Sequence, residues 1–245
     1  MSVTRRWNIL AGEFFFRYRN ALFPTLFVVL TLVVRPKVLL NHRTADRCLV
    51  TLGVLIALLG EFFRLMTIGY EYIDRGGKNG HVHASRLVTA GVYAHTRNPM
   101  YVGNMLIAIG VCMASGAPLA YLVALPAFLF IYQSIVVTEE EYLRQKFGVE
   151  YVEYCAKVPR FVPSFRGMKR SLFGVPYHWK RALRQDLSTL TALLAALTLL
   201  PLWRIFFLEG FDAAKRTAPR AIGMAVVILV LYTFLVYLKK QKYLQ

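Results

Sequence analysis

An all-α, polytopic membrane helix bundle of about six spans is the fold class that three observations predict. Apolar residues make up 57% of the 245 and come in blocks instead of alternating. The mean hydropathy is positive, and most of the Lys and Arg behind a net charge of +17 flank those blocks. A chain this apolar cannot cover a soluble domain with polar surface, and in lipid a block of ~20 residues satisfies its own backbone only as a helix. The cations form no single stripe interleaved with aromatics, so no nucleic-acid partner is expected. Anionic lipid headgroups are the expected counter-charge, attracting each juxtamembrane cation by roughly 1 kcal/mol.

The elements follow in order. Arg5, Arg6, Arg17 and Arg19 precede the first apolar segment, Ala21 to Val34, which extends backward through Phe14–Phe16 and carries no small-residue cleavage pattern, so an uncleaved anchor is expected. Alone it is shorter than a bilayer core requires, and a re-entrant segment is one way to place it. The second span starts at Cys48 and runs through Gly60 toward Tyr70. Glu61 and Arg64 fall one turn apart in it, and the expected arrangement is an ion pair snorkelling to the interface. Gly76–Gly80 reads as a flexible turn, and His81, His83 and His95 lack the spacing and carboxylates of a metal site. Met100 to Val137 is long enough for two spans around an uncharged turn, Ser115-Gly-Ala-Pro118, with Asn104, Gln133 and Ser134 facing other helices.

From Glu139-Glu-Glu141, the spacing of Leu143, Phe147, Tyr151 and Tyr154 predicts a surface helix with an apolar stripe, which Pro159 and Pro163 end. A basic stretch with Lys169, Arg170, Lys180, Arg181 and Arg184 is expected against headgroups. Leu187 to Leu208 and Ala221 to Leu238 complete the spans. The uncharged hairpin turn and the basic tail around Lys239 and Lys242 put both termini and both polar segments in the cytoplasm, which leaves Arg35, Lys37, Arg43 and Arg47 outside. Cys48, Cys112 and Cys155 have no paired spacing, so neither a disulfide framework nor a zinc site is signalled.

Between the spans one polar break stands out, Leu87-Val-Thr-Ala-Gly-Val-Tyr-Ala-His-Thr-Arg-Asn-Pro-Met-Tyr-Val-Gly103. It changes from loop to apolar helix at Asn98 and Pro99, which are expected as N-cap and first helical residue. Together with residues 139–163 after a short hairpin, this segment resembles the isoprenylcysteine carboxyl methyltransferase and phospholipid methyltransferase superfamily over roughly Cys48 to Pro163. The resemblance implies a membrane enzyme with a cytoplasmic pocket for S-adenosylmethionine and a lipid-borne or small lipophilic methyl acceptor. The family's Arg-His-Pro-x-Tyr motif falls on Arg97, Asn98, Pro99, Met100 and Tyr101, with Asn where many members have His. Its Glu pair falls on Glu139 and Glu140, and its Arg before the closing turn on Arg160. Three regions result: an arm and first segment over 1–47, a methyltransferase-like core over 48–165, and a basic linker with two extra spans over 166–245.

The residue types suit that cofactor, which presents a sulfonium, an ammonium, a carboxylate and a ribose to one small site. Arg97 matches the carboxylate; Glu139 and Glu140 match the ribose hydroxyls or the ammonium. Tyr93 or Tyr101 offers a ring face to the sulfonium. The expected cofactor-binding set is Tyr93, His95, Arg97, Asn98, Pro99, Tyr101, Glu139 and Glu140. Arg160, Glu140 and His95 are the candidate catalytic residues: Arg160 positions an anionic acceptor, and Glu139, Glu140 or His95 takes the proton of an amine. The alternatives are an NADPH-dependent membrane reductase of the sterol reductase type and a non-catalytic membrane partner protein.

Overall fold

The computed structural model describes residues 3–70, 81–173, 175–241 and 243, and every regular element among them is a helix. The Gly76–Gly80 turn lies outside the described residues. Seven α-helices are formed: α1 (Val3–Val33), α2 (Arg43–Tyr70), α3 (Pro99–Ser115), α4 (Leu125–Lys157), α5 (Met168–Phe173), α6 (Trp179–Glu209) and α7 (Phe211–Lys240). Among the described residues, four helices are long and apolar enough to cross a membrane: α2, the continuous helical stretch Ala120–Lys157, α6 and α7. The apolar part of α1, Ala21–Val33, and α3 are shorter, so four of the six expected spans meet the length and composition that a crossing helix needs.

α1 is one continuous helix and does not re-enter. Thr138 of α4 donates to the carbonyl of Ile9 at 3.1 Å, while at the other end Lys37 N–H bonds to Gly116 O at 2.8 Å. Phe23 stacks between these ends on Tyr132, with ring centroids 4.9 Å apart. Arg35 and Lys37 therefore lie at the end of the bundle opposite Thr138, where the Arg35 guanidinium sits 4.1 Å over the Phe207 ring.

Close packing of α2 on α3 depends on glycine. A Cβ on Gly60 would lie 2.7 Å from Gly103 O, and one on Gly53 would lie 2.7 Å from Gly110 O. Small residues thus let the two backbones touch, which is how helices associate in a solvent as apolar as their side chains. The turn between α3 and α4 falls where the sequence predicts it, with Gly116 in the left-handed region (φ 62°) and Ser115 Oγ accepting from Ala117 N–H at 3.2 Å. One wide π-turn at Ala120–Ala124 then precedes Pro126, whose missing N–H a regular helix would leave as a gap.

The helix expected to begin afresh at Glu139 does not. α4 continues from the membrane through Thr138, Glu139 and Glu140, all buried, and breaks only at Gly148 (φ 53°, ψ −123°). Its predicted stripe is correct, since Leu143, Tyr151 and Tyr154 are buried together in one apolar cluster.

α6 starts at Trp179 instead of Leu187 and docks on α2 from its first turn. His178 N–H and Arg181 Nη2 both donate to Gly69 O, at 2.9 and 2.8 Å, and Arg181 Nε donates to Ile68 O at 2.9 Å. These bonds satisfy the carbonyls that the end of α2 leaves without intrahelical partners, so Arg181 caps α2. Far along α6, Arg204 donates to Asp46 Oδ2 at 2.5 Å and to Ser115 O at 2.7 Å, which ties α6 to the start of α2 and the α3–α4 turn.

Candidate active site

Two backbone segments form the base of the site. Arg97 N–H bonds to Pro159 O, and Ser164 N–H bonds to His95 O, each at 2.9 Å. The hydroxyl of Thr96 lies 3.2 and 3.1 Å from the carbonyls of Arg160 and Phe161. Tyr154 OH donates to Tyr93 O at 2.7 Å. The polar break after α2 and the proline turn after α4 thus pair along their length, which brings Arg160 beside the start of α3.

Glu140 is the centre of what they enclose. It is 4% exposed, and Arg160 grips it with two donors, Nε at 3.2 Å and Nη2 at 2.6 Å. Asn98 Nδ2 donates to it at 3.0 Å, and Arg97 Nη2 stands 3.7 Å away. Asn98 does occupy the N-cap position of α3, but its side chain makes no capping bond. The amide turns to Glu140 and the Arg160 carbonyl instead, because a buried carboxylate is the stronger acceptor and has no water to fall back on. Asn at this position therefore supplies an N–H donor of the kind an imidazole ring would supply. Burial pushes the Arg97 proton affinity down, but Glu140 and a hydrogen bond that Arg97 donates to Cys155 outweigh it, and the guanidinium holds its proton more tightly than usual.

Glu139, one residue earlier on α4, accepts from Tyr101 OH at 2.7 Å. His95 is tied by Nδ1 to Ser164 O at 2.6 Å; since the carbonyl accepts, Nδ1 carries the proton, and Nε2 has no hydrogen-bond partner among the described residues. Pro99 is the first residue of α3, as expected.

A cavity of about 1110 Å³ opens beside this cluster, at the upper end of the usual size for ligand sites. Tyr93, Asn98, Tyr101 and Glu139 line it, whereas His95, Arg97, Glu140 and Arg160 stand behind or beside that lining. Arg19 of α1 and Arg64 of α2 add two cations. The far wall is apolar, with Phe23, Phe128, Val111, Leu200 and Trp203 among its residues.

Arg64 does not snorkel. It is buried and turns across to α6, donating through Nε to Asp186 Oδ2 at 3.1 Å, through Nη2 to Asp186 Oδ1 and to Thr189 at 3.1 Å, and through Nη1 to Asn104. Glu61 stays 3.8 Å from Arg64 as a secondary partner. The sequence contained a signal for this arrangement, because Gln185, Ser188 and Thr189 recur at helical spacing. A span start placed at Leu187 left Gln185 and Asp186 in the linker and hid it.

Comparisons with known proteins agree with the geometry. Residues 48–150 match the phospholipid methyltransferase family model. Similar curated proteins include the protein-S-isoprenylcysteine O-methyltransferase of Schizosaccharomyces pombe, 32% identical over 43% of this chain and 45% of the relative. The human protein of the same name is 33% identical over 49% and 43%. The cobalt-zinc-cadmium resistance protein CzcN of Cupriavidus metallidurans is 33% identical over 46% of each chain. This chain spans about half the length of the curated relatives it matches, and no solved structure matches it. The two linked motifs, the buried Glu140 cluster they build and the match over residues 48–150 all support a likeness of this part of the chain to the isoprenylcysteine carboxyl methyltransferase and phospholipid methyltransferase superfamily.

Proposed function

We propose that the protein is an integral membrane methyltransferase that uses S-adenosylmethionine to methylate the oxygen of a lipid-borne carboxylate. The observation that carries this reading is one continuous space in which Glu139, Asn98 and Tyr101, beside the Glu140 cluster, meet an apolar cavity between helices. The donor set fits the cofactor: both signs of charge, two tyrosines and the unpartnered His95 Nε2 lie within a few residues of one another. Arg97 would hold its carboxylate, Glu139 and Glu140 its ammonium or ribose, and Tyr93 or Tyr101 its sulfonium. Asn98 and Pro99 set the start of α3 under it, and His95 holds the two segments together. S-adenosylmethionine supplies an activated methyl group when bound.

For the chain's own residues the task is orientation and exclusion of water, worth ~7–11 kcal/mol in a well-aligned site. A carboxylate acceptor suits the cation that Arg19 adds to the cavity lining, where Arg64 is already paired with Asp186. A carboxylate also needs no base, which leaves Glu140 and His95 in positioning roles; with an amine acceptor they are the bases. Arg160, 39% exposed in its side chain, would position the anionic acceptor from its place against Glu140. The site end of the bundle, with Arg17, Arg166, Lys169, Arg170 and Lys180 in nearby segments, is assigned to the cytoplasm and to anionic headgroups. The names of the isoprenylcysteine O-methyltransferase relatives fit an acceptor carboxylate on a thioether-linked prenyl chain.

Calorimetry on the intact protein in several detergents tests the reading. S-adenosylmethionine binding that Glu140→Gln weakens at least tenfold is the expected result. No heat from S-adenosylmethionine, with quenching of tryptophan fluorescence by NADPH, would replace it with a reductase.

A further inference from the structure

α6 lies wholly outside the matched residues 48–150, yet it forms one wall of the cavity. Its lining residues divide along the helix. Gln185, Ser188 and Thr189, spaced so that they share a face, come first; Leu193, Ala196, Leu200 and Trp203 follow, and all are apolar. Thr189 is committed to Arg64. Gln185 and Ser188 are exposed at the cavity and make no side-chain hydrogen bond among the described residues. Asp186 is 0% exposed and takes two donors of the Arg64 guanidinium, holding it flat on the cavity wall beside Asn104.

Polar groups at such a depth are costly unless they meet partners. An amphiphile lying along α6 places its polar head beside residues 185–189, level with Asn104 and Arg64, and its tail toward Trp203. Gln185 offers an amide donor and acceptor, and Ser188 a hydroxyl, so they match a neutral group such as an amide or ester and not a second charge.

Resting on the methyltransferase reading, we propose that α6 is the acceptor-recognition element of this protein. Gln185 and Ser188 hydrogen-bond a neutral amide or ester next to the methyl-accepting carboxylate, and the face from Ala192 to Trp203 receives the apolar chain. Asp186 is a positioning residue that acts through Arg64.

Two acceptors differing in one group test this: N-acetyl-S-farnesylcysteine, and S-farnesyl-3-mercaptopropionate, which lacks the acetamido group. With methyl-labelled S-adenosylmethionine and the full chain in detergent, the double variant Gln185→Leu/Ser188→Ala should raise KM about tenfold for the first acceptor. For the second, KM should change less than about twofold, and the Kd for S-adenosylmethionine should stay as it is. Asp186→Asn should raise KM for both acceptors at unchanged S-adenosylmethionine affinity, with Asp186→Glu restoring part of the loss. If Asp186→Asn fails to fold by size exclusion, the double variant still decides. Equal effects on both acceptors, no effect on either, or no methylation of either by a protein that binds S-adenosylmethionine overturns the role of α6 alone. Failure of the intact protein to bind S-adenosylmethionine overturns the methyltransferase reading and this inference with it.

Discussion

Glu140→Gln is the substitution that most directly tests the site. The side chain keeps its shape and loses its charge, while Arg160, Asn98 and Arg97 stay in place around it. One amide N–H must then point at a guanidinium or at the Asn98 amide, and two cations lose their counter-ion. Removing one partner from a buried ion pair costs ~3–5 kcal/mol. Arg160 is 39% exposed and its charge recovers hydration, so the lower end applies, about 3 kcal/mol. For a chain of this size that corresponds to an apparent Tm lower by about 6–12 °C. The same change removes the largest of the influences that hold the Arg97 proton against burial. The assay is thermal unfolding in detergent at fixed scan rate, with Arg160→Gln as comparison and the double variant closing the cycle. Arg160→Gln should cost a similar amount, about 3 kcal/mol, because it leaves the buried Glu140 carboxylate with only Asn98 and the more distant Arg97. A drop under about 2 °C for Glu140→Gln, or strict additivity in the cycle, would refute the view of Glu140 as the charge centre.

Gly60→Ala should destabilise by about 1–3 kcal/mol, because its Cβ would meet Gly103 O and Ile107 N, backbone atoms that cannot turn aside. Gly223→Ala, where nothing lies within 4 Å, should be neutral or slightly stabilising in the same thermal assay, and equal losses would contradict the packing argument. Arg204→Met strands Asp46 in the bundle and should lower the Tm by more than Arg204→Met/Asp46→Asn does; the reverse order would show that the pair carries no weight. Asn98→His retains an N–H toward Glu140, so S-adenosylmethionine affinity should stay within about threefold by calorimetry, whereas Asn98→Leu should reduce it at least tenfold.

Much of the candidate site was legible in the sequence because its residues cluster in two short segments. The capped start at Asn98 and Pro99, the Glu139–Glu140 pair and Arg160 each carry a local signature, and helical spacing gave the buried face of Leu143, Tyr151 and Tyr154. Local reasoning failed wherever a partner came from far along the chain. Helical spacing pairs Arg64 with Glu61, its neighbour on the helix, but its carboxylate is Asp186, 122 residues on. Asn98 was given a capping role, but it turned to Glu140, 42 residues on.

What the sequence alone determines here is that its apolar blocks are helical and that two linked motifs stand at the ends of a hairpin. Lipid leaves the backbone no partner but itself, so an apolar block of sufficient length is a helix whatever surrounds it. Hydropathy has no such hold on which side chains meet across helices. That depends on the rotation and depth at which helices pack, and glycine contacts between α2 and α3 and arginine ties from α6 to α2 fix both. Only the tertiary structure could turn α6 from an apparent appendage into a wall of the cavity.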